Sequence, residues 1–258
     1  MNKLILAALF AGCFFFLAPH AHAAITVDAT SSYKVTGTAS SFSWSQTVNS
    51  ADEVLVVGES DSAYPRISIQ TLTYDGANLT RALQGATSGS YGHAELWYLV
   101  NPATGTHDIT VTYSASQFVG TDFAAASFAG VDQTTPIDAS ASSTGSGTSL
   151  SASITTTAAN DMLVDAAGSM SSNGAATAGA GQTVIYQYTQ FGSDNGAYSY
   201  KAVSTAGSYS MSWSGFANFP WVELVVALKP ASGSTPTPPP LLYWFDGLVH
   251  IVGNIVLQ

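Results

Sequence analysis

Between residues 24 and 230 no segment keeps apolar side chains at helical spacing for three turns. What recurs is alternation with period two, the pattern of a strand with one buried and one wetted face. Residues 94–114, AELWYLVNPATGTHDITVTYS, carry it most plainly. Leu96, Tyr98 and Val100 take one parity of the first run and Trp97 and Leu99 the other, so this run reads as buried on both faces. Ile109, Val111 and Tyr113 then alternate with Asp108, Thr110 and Thr112. Asn101-Pro102 and Thr104-Gly105 supply the turn between them.

The same grammar runs through the chain. Strands are predicted at 25–28, 41–48, 53–59, 67–74, 77–83 and 122–129. Asp75-Gly76 is a favoured hairpin turn, and Val54-Leu55-Val56-Val57 is a continuous apolar run suited to a central, two-sided strand. Residues 130–149, rich in Ser, Thr and Gly, read as a connection. The second half restates the first: 41–59 aligns without a gap on 149–167, placing Phe42 on Leu150 and Asp52 on Asn160. Tyr209, Met211 and Trp213 stand for Ile109, Val111 and Tyr113, and 222–227 for 123–128. Repetition at about 100 residues implies two related sheet-forming units. The expected fold is therefore all-β, an antiparallel β-sandwich of jelly-roll or immunoglobulin-like type built from two related halves, about 41–131 and 149–230, within one domain at 24–230.

The ends differ from this body. Lys3, the apolar run 4–17 and Ala21-His22-Ala23 have the parts of a secretory signal peptide over 1–23. Ala11-Gly12-Cys13 is a partial lipobox, but Phe14 to Phe16 after the cysteine argue against lipidation. Cys13 is the only cysteine, so the mature chain is expected to hold no disulfide and no thiolate site. Residues 231–240, ASGSTPTPPP, read as a linker stiffened by prolines. The apolar tail 241–258 can be a helix or a strand meander turning at Asp246-Gly247 and Gly253-Asn254. It is expected to dock on a membrane or a protein.

Composition narrows the function. Only 9% of residues are charged, and six basic residues face sixteen acidic ones, for a net charge of −10. This is a poor match to a phosphate backbone, and nucleic-acid binding is not expected. No G-x-S-x-G and no Gly-rich loop opening a helix occurs, and Ser31-Ser32-Tyr33-Lys34 fits S-x-x-K only in a strand-like context. His93, His107 and His250 share no ligand spacing, and His107 is expected to bond locally beside Asp108. No cofactor is expected; Ca2+ is the ion that the oxygen-rich stretches 59–62 and 192–196 would suit. Glu53, Glu59, Glu95 and Glu223 are available for paired-carboxylate hydrolysis of a polysaccharide, although Glu95 and Glu223 sit where an edge or cross-strand partner is expected. Tyr64, Tyr91 and Phe118 fall in loops that simple hairpin connections would bring to one end, together with Arg66 and His93. These five are the candidate ligand-binding residues, with rings able to stack on sugar faces.

The strings ISIQTLTYDGANLTRA, AELWYLVNPATGTHDITVTYS, FAAASFAGVDQTTPID and ITTTAANDMLVDAAG, taken in that order over about 41–229, resemble a group of exported bacterial β-sandwich proteins without an assigned activity. The resemblance implies a secreted or cell-surface sandwich and supplies no catalytic residues. The function expected is non-catalytic: adhesion, or a structural or ligand-presenting module at the cell surface. Carbohydrate binding is the alternative, with a glycan or surface polymer as partner, and a polysaccharide-active enzyme is the lesser one.

Overall fold

The computed structural model describes residues 24–62, 67–87, 92–117, 120–170, 172–189, 195–232, 241–245 and 248–252. The expected leader and nearly all of the Pro-rich linker lie outside the described residues. The chain divides into two compact units, His22–Ser232 and Met1–Ala21 with Gly233–Gln258.

The larger unit is entirely antiparallel β among its described residues. Its first half comprises β1 (Thr26–Lys34), β2 (Ala39–Val48), β3 (Glu53–Asp61), β4 (Ile69–Tyr74), β5 (Ala77–Asn78), β6 (Thr80–Ala86), β7 (His93–Val100), β8 (Gly105–Gln117) and β9 (Thr121–Ala129). The second comprises β10 (Ile137–Thr156), β11 (Met162–Ser169), β12 (Ser172–Ala178), β13 (Thr183–Thr189), β14 (Asn195–Ala202) and β15 (Gly207–Leu228). In the first half one sheet has the order β1-β9-β3-β7-β6 and a second the order β2-β8-β4-β5. The second half repeats this plan with fewer, longer strands. Its sheet runs β10-β15-β11-β14-β13, with β12 on β15. The early part of β10 and the late part of β15 do the work of β1 and β9. Their other ends, paired from 149 to 156 against 207 to 214, do the work of β2 and β8.

Local irregularities repeat as well, which composition alone would not produce. A bulge separates Arg81 from Leu83 opposite β7, and another separates Val184 from Tyr186 opposite β14. Asp28 accepts the backbone N–H of Asn49 at 2.9 Å, and Asp138 that of Thr157 at 2.6 Å. Asp52 and Asn160 precede β3 and β11 with φ of 60° and 64°. Non-glycine residues adopt this left-handed geometry at a cost. Asn160→Gly is therefore expected to raise stability by a few tenths to about 1 kcal/mol in urea unfolding.

Four layers result. Between the two sheets of the first half lie Phe42, Trp44, Leu72, Ile109 and Val111 on one side and Leu55, Val57, Trp97 and Phe123 on the other. Val54, Val56, Leu96 and Phe128 point the opposite way and share an interior with Val164, Tyr198, Leu224 and Val226 of the second half. β3 is thus buried on both faces, as its unbroken apolar run requires. A further interior of the second half holds Leu150, Ile154, Leu163, Met211, Trp213 and Val225. The chain is the antiparallel sandwich expected in class, but each half encloses an interior of its own besides the one that the halves share.

Two expectations are corrected. Residues 137–149 are strand, not connection. β10 is an edge strand held by a long ladder to β15, so its small side chains need bury little. At Gly145 a Cβ would stand 2.5 Å from the Trp221 ring, and at Gly147 a φ of 128° lets the strand leave one layer for the next. The repeat alignment also slips. By strand pairing Phe123 corresponds to Glu223, one residue from the expected Val222, and a one-residue slip exchanges the faces of a strand. Ile109 and Val111 correspond to Met211 and Trp213, a two-residue slip that keeps the face.

In the smaller unit β16 (Leu241–Phe245) and β17 (Leu248–Val252) pair as a hairpin, Phe245 opposite Leu248. Of the two conformations open to the tail, the β-branched residues of this stretch fit the strand. Its expected turns at 246–247 and 253–254 lie outside the described residues. No helix among the described residues is long and apolar enough to cross a membrane.

Candidate functional site

β3 and β7 lie side by side in the middle of their sheet. On the face turned toward β2 and β8, Glu59 pairs with Glu95 and Asp61 with His93. Side chains two apart on a strand share a face, so the sequences Glu-Ser-Asp and His-Ala-Glu set four ionisable groups in a square. All four are buried, at 1%, 2%, 3% and 0% exposure for Glu59, Asp61, His93 and Glu95.

The carboxylates are held from outside and meet the imidazole inside. Tyr113 Oη donates to Glu59 Oε1 at 3.4 Å, while Glu59 Oε2 lies 3.1 Å from His93 Nδ1. Trp97 Nε1 donates to Glu95 Oε2 at 2.7 Å, and Glu95 Oε1 lies 3.7 Å from His93 Nε2. Arg81, across the bulge on β6, reaches Glu95 Oε1 at 3.5 Å and stacks on the Trp97 ring. Thr121 Oγ1 donates to Asp61 at 3.4 Å. Burial, followed by the charges of Glu59, Asp61 and Glu95, holds the Tyr113 phenol well above its ordinary range.

The second half shows the same corner built otherwise. Where Glu59 pairs with Glu95, Ala167 pairs with Ala197; where Asp61 pairs with His93 and Thr121, Ser169 pairs with Asn195 and Trp221. The space is filled by Trp213, Phe216 and Trp221 around the two alanines. The second half keeps buried acids of its own on this face, Glu223 beside Ala167 and Asp165 two residues before it, but it sets Asn195 where the imidazole stands and alanines where the two glutamates face each other, so the fold does not require this particular set of charges. Taking them out of water costs several kcal/mol per ion unless partners repay it.

Of the five candidate residues, His93 is described and lies in this cluster; Tyr64, Arg66, Tyr91 and Phe118 lie outside the described residues, as does much of the 192–196 stretch. The strand ends that flank their loops do converge, since Asp61 neighbours both His93 and Thr121. The start of β14 joins them: Ser60 Oγ donates to the Asn195 carbonyl at 3.4 Å, and Tyr198 Oη to the Asp122 carbonyl at 2.8 Å. His107 bonds locally to the Thr104 carbonyl as expected, but its ion-pair partner is Asp75, 3.2 Å away, rather than Asp108. Sequence reasoning left Glu95 out of the site. Its signal was the His-x-Glu spacing on one strand against Glu-x-Asp on another, which becomes a cluster only through the pairing of β3 with β7.

Other buried acids belong to the second half and to the contact between halves. Burial pushes Asp122 up to about 7, against the opposing pull of Lys34 at 3.9 Å. Burial and then the charge of Asp138 push Asp161 up to about 7. Asp165 is pushed up to about 7 by burial although Ser199 and Trp213 donate to it. Glu223, expected to have an edge or cross-strand partner, sits on an interior strand fully buried, with neither oxygen hydrogen-bonded. Burial and then Asp165 push it up to about 10. Asp28 and Asp138 lie below the ordinary range, burial being outweighed by donors from 49 and 157. Asp132 is held down by the N–H groups of Thr135 and Thr134.

These directions fix how stability varies with pH. A carboxyl with a raised folded value keeps its proton while the unfolded chain ionises, so its contribution is lost as pH rises from the unfolded value toward the folded one. For the raised group this window opens near 4 and runs to about 7, or to about 10 for Glu223. The lowered acids contribute above their unfolded value of 3.8 and lose that contribution as pH falls through the folded one. Stability is therefore expected to peak at about pH 4–5, with a melting temperature roughly 5–10 °C lower at about pH 8. A thermal melt series at constant ionic strength checks this. A curve that rises from pH 4 to 8 contradicts it.

No protein-family model matches the chain, and neither a curated protein nor a solved structure matches it.

Proposed function

We propose that the chain is a non-catalytic, exported β-sandwich that acts at the cell surface as an adhesive or ligand-presenting module, and that it binds through the loop end of its first half. One observation carries this reading. Two halves share a fold, yet at the same corner one gathers Glu59, Asp61 and Glu95 around the imidazole of His93 while the other sets Ala167, Ser169, Asn195 and Ala197 at the matching positions, beside Glu223. A costly buried set of two glutamates, an aspartate and an imidazole that the matching half does without is a mark of a functional end. The burial of Glu59 and Glu95 beside an imidazole argues for positioning what lies above them rather than for attack on a polysaccharide.

The test is binding of the full chain to a panel of cell-wall polymers, matrix proteins and soluble glycans. The doubly substituted Tyr64→Ala, Tyr91→Ala chain is expected to lose binding, and Met170→Ala, at an exposed second-half position, to keep it. The reverse outcome sinks the assignment. Carbohydrate binding is the second reading, favoured by a cavity of about 330 Å³ lined by Thr87, Thr144, Gly145, Ser146 and Pro220. Its hydroxyls suit a sugar edge, and the buried Thr87 Oγ1 has no hydrogen-bond partner. Retention on soluble glycans alone supports it.

A further inference from the structure

We propose that Glu59, His93 and Glu95 form a binding site for a divalent first-row transition metal, Zn2+ being the fitting probe, with Asp61 at the fourth corner. The proposal is independent of what the loops bind. It rests on the placement of the donors. One ligand atom from each of the three residues lies within 4.8 Å of the others. Glu59 Oε2 stands 3.1 Å from His93 Nδ1, close to the distance of about 3.3 Å expected between two donors on a tetrahedral zinc, and Glu95 Oε1, 3.7 Å from the opposite ring nitrogen, reaches the same ion by a small turn of its side chain.

The surroundings suit a metal. Each glutamate uses one oxygen to accept an outer donor, Tyr113 Oη or Trp97 Nε1, and turns its other oxygen toward the imidazole. That is how outer groups orient metal-binding carboxylates. The donors stand on adjacent strands in the middle of a sheet, so the backbone fixes their spacing. Arg81, the cation now near Glu95, has a side chain 43% exposed and can swing to water when an ion enters. On binding, the ion takes one imidazole nitrogen and expels any proton there, and the inner oxygens of Glu59 and Glu95 turn from the ring to the ion while their outer oxygens keep Tyr113 and Trp97. An imidazole among the donors favours a transition metal over Ca2+, which takes oxygen ligands. The second half supplies the internal comparison: Ala167, Asn195 and Ala197 stand at the matching positions, so one site per chain is expected.

The test is calorimetric titration of the chelator-stripped full chain with Zn2+, together with elemental analysis. One ion per chain is expected. His93→Gln and Glu59→Gln should each weaken it by at least about tenfold, while Asn195→Ala and His250→Ala leave it unchanged. Wild-type chain that takes up no Zn2+, or binds it equally well after His93→Gln, overturns the proposal. If His93→Gln does not fold, Co2+ on the wild-type frame decides. Paramagnetically shifted imidazole resonances should persist in a His20→Ala, His22→Ala, His107→Ala, His250→Ala background, which leaves His93 alone, and their absence is equally decisive against the site.

Discussion

Replacing Glu95 by alanine is expected to destabilise the larger unit by about 3–5 kcal/mol, the cost of breaking a buried charged network from one side. The carboxylate is fully buried and accepts from Trp97 Nε1 while facing Arg81 and His93. Alanine fills none of that space and leaves the indole N–H without this acceptor, a further loss of the kind that makes unsatisfied buried donors expensive. Glu95→Gln keeps an acceptor for Trp97 and should cost distinctly less. Urea unfolding of the three proteins measures the difference. If alanine costs under about 1 kcal/mol, far below the range expected for such a network, the cluster contributes nothing as a unit.

The opposite sign is expected at Glu223. Both of its oxygens lack a hydrogen-bond partner, and the matching residue of the first half is Phe123. Glu223→Leu removes an unsatisfied buried carboxyl and restores apolar contact beside Ala167. It should raise stability by about 1–4 kcal/mol, as replacing buried charged groups by apolar ones of similar volume does. The gain should be larger in alkaline buffer, where the unfolded chain gains more from ionising Glu223, and smaller near pH 4. A loss of stability in Glu223→Leu would mean that the carboxyl is satisfied by a bound water.

Much of the fold is legible in the residues, and the failures have causes. β3 could be placed at the centre because four consecutive apolar residues leave no side for water. The Asp75-Gly76 turn could be placed because both residues tolerate positive φ, here 47° and 77°. β10 could not be told from a linker. Its serines, threonines and glycines have the composition of a connection, and only β15, about 70 residues later, makes them a strand. The repeat slipped by one residue at β9 because an alanine-rich strand gives no landmark against Trp221 to Leu228. The site was half visible. Glu59 and Asp61 stood out as acids suited to Ca2+, and His93 as a loop residue beside aromatic neighbours. Their union with Glu95 depends on the register of β3 against β7, which is a property of the sheet rather than of either segment.

Two duplicated sandwiches share one interior through Val164, Leu224 and their first-half counterparts. Scanning calorimetry of wild type and Val164→Asp tests this most directly. The shared interior predicts a single transition with matching calorimetric and van't Hoff enthalpies, moved as a whole to lower temperature by the buried charge. Two resolved transitions, one of them unmoved by Val164→Asp, would contradict it.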